Sequence, residues 1–303
     1  MELTFQDEEA VDASTVIVLR DTSSGVEVFL LRRARTSSFM PDVYVYPGGR
    51  LDPEDCTPEA AARVRGLTPE EARRRLGEDL LGPTALGLFL AGVRETFEEA
   101  GILLARRSDE DHLIDLTSDP DIARRFATHR DRLHAYELSM SAFAEAEDLI
   151  FDLGDVHEFS RWITPLFEPR RFDARFFVAI APEHQRPLHD DAETTDSVWL
   201  SPARAVRMYQ DGELELAPPT LATLAQLSGF ATSAAVVAHA AQHTPAICLP
   251  HFTERDSAMT LMLPGDPDYP HDDVRYPGAT TPTHDITAMV MDEGRWVLVA
   301  HAQ

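Results

Sequence analysis

Arg94-Glu95-Thr96-Phe97-Glu98-Glu99-Ala100-Gly101-Ile102 is the stretch on which the reading of this chain turns. At helical pitch, Glu95, Glu98 and Glu99 stand at i, i+3 and i+4 and share one face. Leu86, Leu90, Val93 and Phe97 recur on the opposite side, so the spacing predicts an amphipathic helix from about Thr84 to Leu104. Leu88 and Ile102 fall outside that division. Gly101 supplies a left-handed stop, and Arg94 lies one turn before Glu98, placed to brace it. An isolated acidic triplet is usually a solvated helix face. Three carboxylates on one face repel each other, however. A hard divalent cation offsets that repulsion, because Mg²⁺ takes oxygen ligands and bridges them to substrate phosphates.

On the N-terminal side, Ser14–Arg20 and Val26–Arg32 are β-rich runs joined by Asp21-Thr-Ser-Ser-Gly25, which predicts a hairpin with a loop of about five residues. Val43-Tyr-Val-Tyr46 reads as a third strand, ended by Pro47-Gly48-Gly49. Between this turn and the acidic helix, residues 58–81 become rich in Ala, Arg, Glu and Leu, with a helix start at Pro69-Glu70-Glu71. Beyond the acidic helix, residues 119–150 read as helical. Strand character returns at Phe172–Ile180 and Ser197–Leu200. Helices are predicted from Ser201-Pro202 to Tyr209 and over Pro219–Leu227. The tail combines an Ala-rich segment at 231–242 with short strands at 246–252, 258–263 and 286–299, and Pro- and Asp-rich turns at 264–284.

Composition narrows the possible chemistry. The 303 residues suit two domains, or one domain with large insertions. A net charge of −25 speaks against a nucleic-acid or anionic-membrane surface. The chain contains neither lysine nor asparagine, so P-loop, pyridoxal and Ser–Lys chemistries are excluded. Cys56 and Cys248 form no zinc or redox motif. The acidic start lacks the positive region of a signal peptide, and the most apolar stretch, Leu80–Val93, is too short to span a bilayer. A soluble, cytoplasmic protein is expected, with homo-oligomerisation left open. His239-x-x-x-His243 has metal-ligand spacing, but Ala240 replaces the glutamate that a zincin uses as base. No Gly-x-Ser-x-Gly elbow or Gly-x-Gly-x-x-Gly loop is present.

The Arg94–Ile102 string resembles the second half of the signature of Nudix hydrolases, R-E-U-x-E-E-x-G-U, with Thr96 in place of the usual aliphatic U. Gly49-x5-Asp55, after Pro47-Gly48, stands where the first half has Gly-x5-Glu. Thirty-eight residues separate Asp55 from Arg94, far more than in the uninterrupted signature, so the usual helical relation between the two halves is lost. An insertion at this point is a feature of the coenzyme A diphosphatase branch, peroxisomal mammalian type. Trp162-Ile-Thr-Pro165, Arg170-Arg-Phe-Asp-x-Arg-Phe-Phe177, Val198-Trp-Leu-Ser-Pro202, Leu216-Ala-Pro-Pro219 and Leu261-Met-Leu-Pro-Gly-Asp266 are similar to that branch as well.

The resemblance implies an α/β (α+β) Nudix-type fold, a mixed sheet in an α/β/α sandwich, over residues 11–228. Insertions would occupy about 56–83 and 119–150, and a C-terminal extension 229–303. It implies Mg²⁺ or Mn²⁺ on Glu95, Glu98 and Glu99, with Gly49 contributing its carbonyl oxygen and Arg94 orienting the glutamates. The expected activity is cleavage of a diphosphate in coenzyme A or acyl-CoA to 3′,5′-ADP and (acyl-)4′-phosphopantetheine. NADH, ADP-ribose or another nucleoside diphosphate derivative is the alternative substrate, and a catalytically idle nucleotide-binding Nudix protein the alternative role. Glu193, six residues before Trp199, is the first candidate for general base, with Glu98 its rival. Arg32, Arg33, Arg35, Arg170, Arg171 and Arg175 are candidates for a substrate clamp, because guanidinium pairs with phosphate in bidentate fashion.

Overall fold

A computed structural model describes residues 10–36, 40–77, 80–190, 193–245, 247–270 and 285–300. Strand β1 (Val11–Thr22) and β2 (Gly25–Arg33) form the opening hairpin. Its turn is tighter than predicted: Thr22 pairs with Gly25, leaving Ser23 and Ser24 as the connection. Strands β3 (Tyr44–Val45) and β4 (Gly48–Arg50) follow, then a 3-10 turn (Pro53–Cys56), helix α1 (Pro58–Ala61), strand β5 (Val64–Arg65) and helix α2 (Pro69–Leu76). The acidic helix is α3 (Gly82–Ala100). It ends at Gly101, whose φ of 66° is the left-handed stop the sequence suggested.

Strand β6 (Ala105–Arg107) leads to α4 (Pro120–His134) and α5 (Met140–Ala146). The end of the 119–150 segment departs from its helical prediction, because Leu149–Asp152 form strand β7 between β5 and β6 in a three-stranded sheet. β7 pairs with β5 through Phe151 and Asp152 and with β6 through Leu149, Ile150 and Phe151, and those long-range partners override local helix propensity. Strands β8 (His157–Ile163), β9 (Phe172–Ile180) and β10 (Thr194–Leu200) precede α6 (Pro202–Gln210), α7 (Pro218–Leu227) and α8 (Ser233–Gln242). The chain continues through β11 (Ile247–Cys248), β12 (His251–Arg255), β13 (Ala258–Met262), β14 (Ile286–Asp292) and β15 (Arg295–Ala300). The stretch predicted as strand over 286–299 is a hairpin turning at Glu293-Gly294. Residues 271–284, most of the predicted turn region, lie outside the described residues.

The main sheet has the order β10-β2-β1-β9-β8-β11, with β3 on β2 and β4 on β1. β1 runs parallel to β9 and β11 parallel to β8, while the other pairs are antiparallel, so the sheet is mixed. Both faces are covered. Val16 and Val18 of β1 join Phe177, α3 and the insertions in one core, while Ile17 and Leu19 join α6, α7, α8 and β12–β15 in the other. Burial on both faces is why β1 reads as a continuous apolar run and not as an alternation. Leu88 and Ile102, which the helical wheel left over, are buried in the same core as Leu76 of α2 and Phe143 of α5. The insertions cover the side of α3 that a simple amphipathic helix would present to water.

Candidate active site

Helix α3 carries its acidic turn into the interior. Glu98 and Glu99 are 7% and 4% exposed, so the acidic face is not a solvated one. A single guanidinium organises it. Arg94 donates through Nε to Asp55 Oδ1 at 3.1 Å, through Nη1 to Glu95 Oε1 at 2.8 Å and Glu98 Oε1 at 3.4 Å, and through Nη2 to the Arg50 carbonyl at 2.9 Å. The brace from Arg94 to Glu98 is the one the i, i+4 spacing indicated.

The insertion removes the helical relation of Asp55 to Arg94, yet the chain returns to place Asp55, 4% exposed, against the guanidinium. The insertion is closed by its own contacts: α2 packs on α3, and β5 pairs with β7. Its two ends therefore stay adjacent.

The floor of the site is the Gly48-Gly49 strand, hydrogen-bonded to β1 at Thr15 and Ser14. Gly48 donates its N–H to Glu99 Oε2 at 2.9 Å. At Gly49 a Cβ would lie 2.2 Å from Glu95 Oε1, so a side chain there would displace the Glu95 carboxylate. At the end of α3, Arg130 donates to the carbonyls of Glu98 and Glu99, both at 2.7 Å, and so caps the helix terminus with a cation.

Burial is the main influence on these acids. It pushes the Glu95 carboxyl up to about 7; Arg94 opposes the rise, and the charges of Glu98 and Glu193 add to it. Glu98 is raised by burial against the same arginine. Glu99 is held well above the usual carboxylate range by burial and then by the charge of Glu95. Arg94 itself is desolvated, but Glu95, Asp55 and Glu98 hold it firmly charged.

Of these carboxylates Glu95 faces a cavity of about 1060 Å³, lined also by Gly48, Gly49, Arg50, Glu193 and Tyr136 among others, while Glu98 and Glu99 lie behind it. Glu193 is exposed on the loop entering β10. Asp190 Oδ1 fixes that loop by accepting the Glu193 and Thr194 N–H groups at 3.1 and 2.9 Å. Asp191 and Ala192 of the same acidic loop lie outside the described residues.

The candidate arginines divide. Arg33, Arg170 and Arg171 line the cavity. Arg32 and Arg35 turn to Asp42, at 2.8 and 3.4 Å, and Arg35 is 82% exposed. Arg175 is placed otherwise than a phosphate clamp requires: it is 1% exposed and paired with Asp12 at 2.7 Å and Asp173 at 3.6 Å. Its position on β9, between β1 and β8, places it inside the sheet.

Two cavity residues had no sequence signal. Arg50 follows the diglycine, and Tyr136 comes from the turn after α4. Tyr136 is 79% exposed with a φ of 56°, uncommon for a side chain of its size. His239 and His243 stack on each other at 4.2 Å, with His239 beside Phe230, and neither lines this cavity.

The donors suit a hard divalent cation: all are oxygens, three are carboxylates whose charges burial disfavours, and Gly49 leaves the space beside Glu95 free of side chain. Among the described residues no three His, Cys, Asp or Glu side chains are grouped so as to hold a metal ion by themselves. Mg²⁺-type sites in general draw part of their shell from waters and substrate phosphates.

A mixed sheet between helical layers, with this carboxylate helix set against a diglycine strand, defines a Nudix-type protein. The sequence model of the NUDT19 Nudix domain matches residues 10–227, and the chain belongs to that family. It is 25% identical over 285 residues to the acyl-coenzyme A diphosphatase NUDT19 of Xenopus laevis, covering 84% of this chain and 74% of that protein. Its likeness to the Gallus gallus protein of the same name is 28% over 301 residues, covering 88% and 78%. Among solved structures, a Nudix hydrolase from Alicyclobacillus acidocaldarius superposes with a TM-score of 0.63 at 28% identity, covering 77% of this chain and 97% of that one. No helix among the described residues is long and apolar enough to cross a membrane.

Proposed function

We propose that this chain is a divalent-metal-dependent Nudix hydrolase that cleaves the diphosphate of coenzyme A and acyl-CoA, yielding 3′,5′-ADP and (acyl-)4′-phosphopantetheine. The observation that carries the proposal is the trio Glu95, Glu98 and Glu99 on one turn of α3, with Glu95 and Glu98 held by Arg94, Glu99 by the Gly48 N–H, and Glu95 at the wall of a large cavity. Bound Mg²⁺ or Mn²⁺ supplies charge neutralisation at the diphosphate and a lowered pKa for the attacking water. Glu95, Glu98 and Glu99 would hold the cation, with the Gly49 carbonyl as a further oxygen donor. Arg94 and Asp55 keep the glutamates in one orientation, as outer partners do in metal sites generally.

Glu193 takes the proton of the attacking water in this scheme, and Glu98 is the alternative base. Water attacks phosphorus, the anhydride P–O bond breaks, and the leaving phosphate departs with the electron pair. Arg33, Arg170 and Arg171 supply local positive charge that a chain of net charge −25 otherwise lacks, and they suit the 3′-phosphate and diphosphate. The domain boundaries 11–228 and 229–303, and the inserted segments, belong to the same reading. The free thiols Cys56 and Cys248 suit a reducing compartment such as the cytoplasm.

The test is product analysis with Mg²⁺ and Mn²⁺ on coenzyme A, dephospho-CoA, NADH and ADP-ribose. Release of 3′,5′-ADP from coenzyme A at the highest kcat/KM supports the assignment. Equal rates on coenzyme A and dephospho-CoA reject the arginine clamp. Faster turnover of NADH or ADP-ribose moves the chain to another substrate class.

A further inference from the structure

The cavity is larger than a diphosphate and one nucleoside need, lying at the upper end of the ~300–1,000 Å³ common for small-molecule sites. Its lining comes from two chemically different layers. The carboxylates belong to α3, on one side of the main sheet. The apolar remainder includes Trp162 and Phe167 together with Pro250, Met259, Leu261 and Trp296, and the last four lie outside the stretch of chain matched to the family domain.

The β12–β15 sheet presents these side chains together. Residues opposite one another on antiparallel strands share a face, and residues two apart on a strand do so too. Phe252 pairs with Leu261, Leu261 with Met289, Met289 with Leu298, and Met291 with Trp296. Met259 and Leu261 therefore point the same way, into the cavity they line.

The sheet is fixed in place by its own packing. Leu261, Leu263, Ile286 and Met289 are buried in the core shared with Ile17 and Leu19 of β1, and the rings of Phe252 and Phe167 meet at 5.5 Å. The Trp296 backbone N–H donates to the Tyr209 hydroxyl at 2.7 Å, and Arg295 donates to the Tyr209 carbonyl at 2.8 Å. At the rim, Met259 remains 41% exposed, an unbranched and adaptable side chain left partly uncovered where the cavity opens.

We infer that the C-terminal β12–β15 sheet forms the far wall of the substrate cavity and receives the acyl-pantetheine arm, so that Met259, Leu261 and Trp296 set the acyl chain length accepted. The inference rests on the coenzyme A reading and adds a specificity element to it. The occupant is identified by continuity: a chain leaving the diphosphate at Glu95 meets an apolar lining in the same cavity. A hydrocarbon tail gains from that surface, whereas a second nucleoside gains less.

The experiment compares kcat/KM for free coenzyme A and a long saturated acyl-CoA in the full chain, in Met259→Trp and in Trp296→Leu. Binding of S-alkyl coenzyme A thioethers is measured in parallel by calorimetry with metal chelated. Met259→Trp fills the rim and should lower the long-chain to free-CoA ratio about tenfold, the equivalent of withdrawing about two methylene groups from apolar contact. Free coenzyme A, which lacks the acyl chain, supplies the reference rate for that ratio in each variant. Trp296→Leu keeps the backbone donor to Tyr209 but removes ring volume, and should shift preference toward longer or branched chains. Thioether affinities should move in the same directions, and thermal melts verify folding of both variants. Hydrolysis of coenzyme A with an unchanged chain-length profile in both variants refutes the acyl wall and leaves the substrate reading intact. Absence of both coenzyme A hydrolysis and thioether binding in the unmodified chain overturns both.

Discussion

Replacing Glu95 by Gln should stabilise the metal-free protein above neutral pH and destabilise the metal-loaded one. Burial raises the Glu95 carboxyl from its ordinary 4.5 to about 7. The folded state therefore binds a proton that the unfolded state has already released, and stability falls as pH rises between those two values. Below about 4.5 both states are protonated, and Gln, which resembles the neutral acid in size and polarity, should leave stability unchanged. Above about 7 the buried charge is fully present, and its removal should recover about 3 kcal/mol at about 1.4 kcal/mol for each pH unit of displacement. Glu99 lies in the same buried group and is raised in part by the charge of Glu95, so Glu95→Gln relieves it also. The assay is urea unfolding at several pH values from 4.5 to 8.5 with chelator, repeated with excess Mg²⁺. With Mg²⁺ the order should reverse, because a ligand that binds only the folded state stabilises it by mass action and the variant has lost a ligand. A pH-independent stability for the chelated parent chain, or a Glu95→Gln variant that is weaker at pH 8 without metal, would show that these carboxylates are not electrostatically strained.

Glu98→Gln should lower turnover by ~10²–10³-fold, a loss on the scale of removing one preorganised group from an active site, with a melting temperature in chelator above neutral pH equal to or slightly above the parent's, because burial raises the Glu98 carboxyl too; near-normal activity would remove Glu98 from the site. Asp55→Asn weakens the hold on Arg94 and should reduce metal affinity ~10–100-fold, read as a rise in the Mg²⁺ concentration for half-maximal rate; an unchanged Mg²⁺ curve would make the pair purely structural. Arg175→Met removes the partner of Asp12 within the sheet, while Asp173 keeps its bidentate pair with Arg161, and should cost ~1–3 kcal/mol in unfolding free energy. If instead it is as stable as the parent but has a raised KM, Arg175 belongs to the substrate clamp after all.

The sequence by itself determined the features that depend on neighbours a few residues apart. The 3.6-residue period fixes Glu95, Glu98 and Glu99 on one side of α3 and brings Arg94 to Glu98. Gly101 ends the helix wherever the helix is placed. The β1 and β9 runs, Phe172–Ile180 among them, are strands because their apolar, β-branched and aromatic residues suit a sheet covered on both faces.

Tertiary structure decided what those residues meet. Asp55 and Arg94 are far apart along the chain, and their contact exists because the intervening segment is closed by α2 packing on α3 and by β5 pairing with β7. The same packing places a layer over α3 and turns an acidic face that could have been solvated into a buried group with raised carboxyl pKa values. Arg175 was indistinguishable in sequence from Arg170 and Arg171, but the register of β9 between β1 and β8 sends it to Asp12 and Asp173 and leaves the other two at the cavity. Tyr136 and the β12–β15 wall were illegible for a like reason. Helical and strand periodicities repeat within a few residues and are written locally, whereas a cavity wall is assembled from segments more than a hundred residues apart, whose meeting depends on the burial of their other faces.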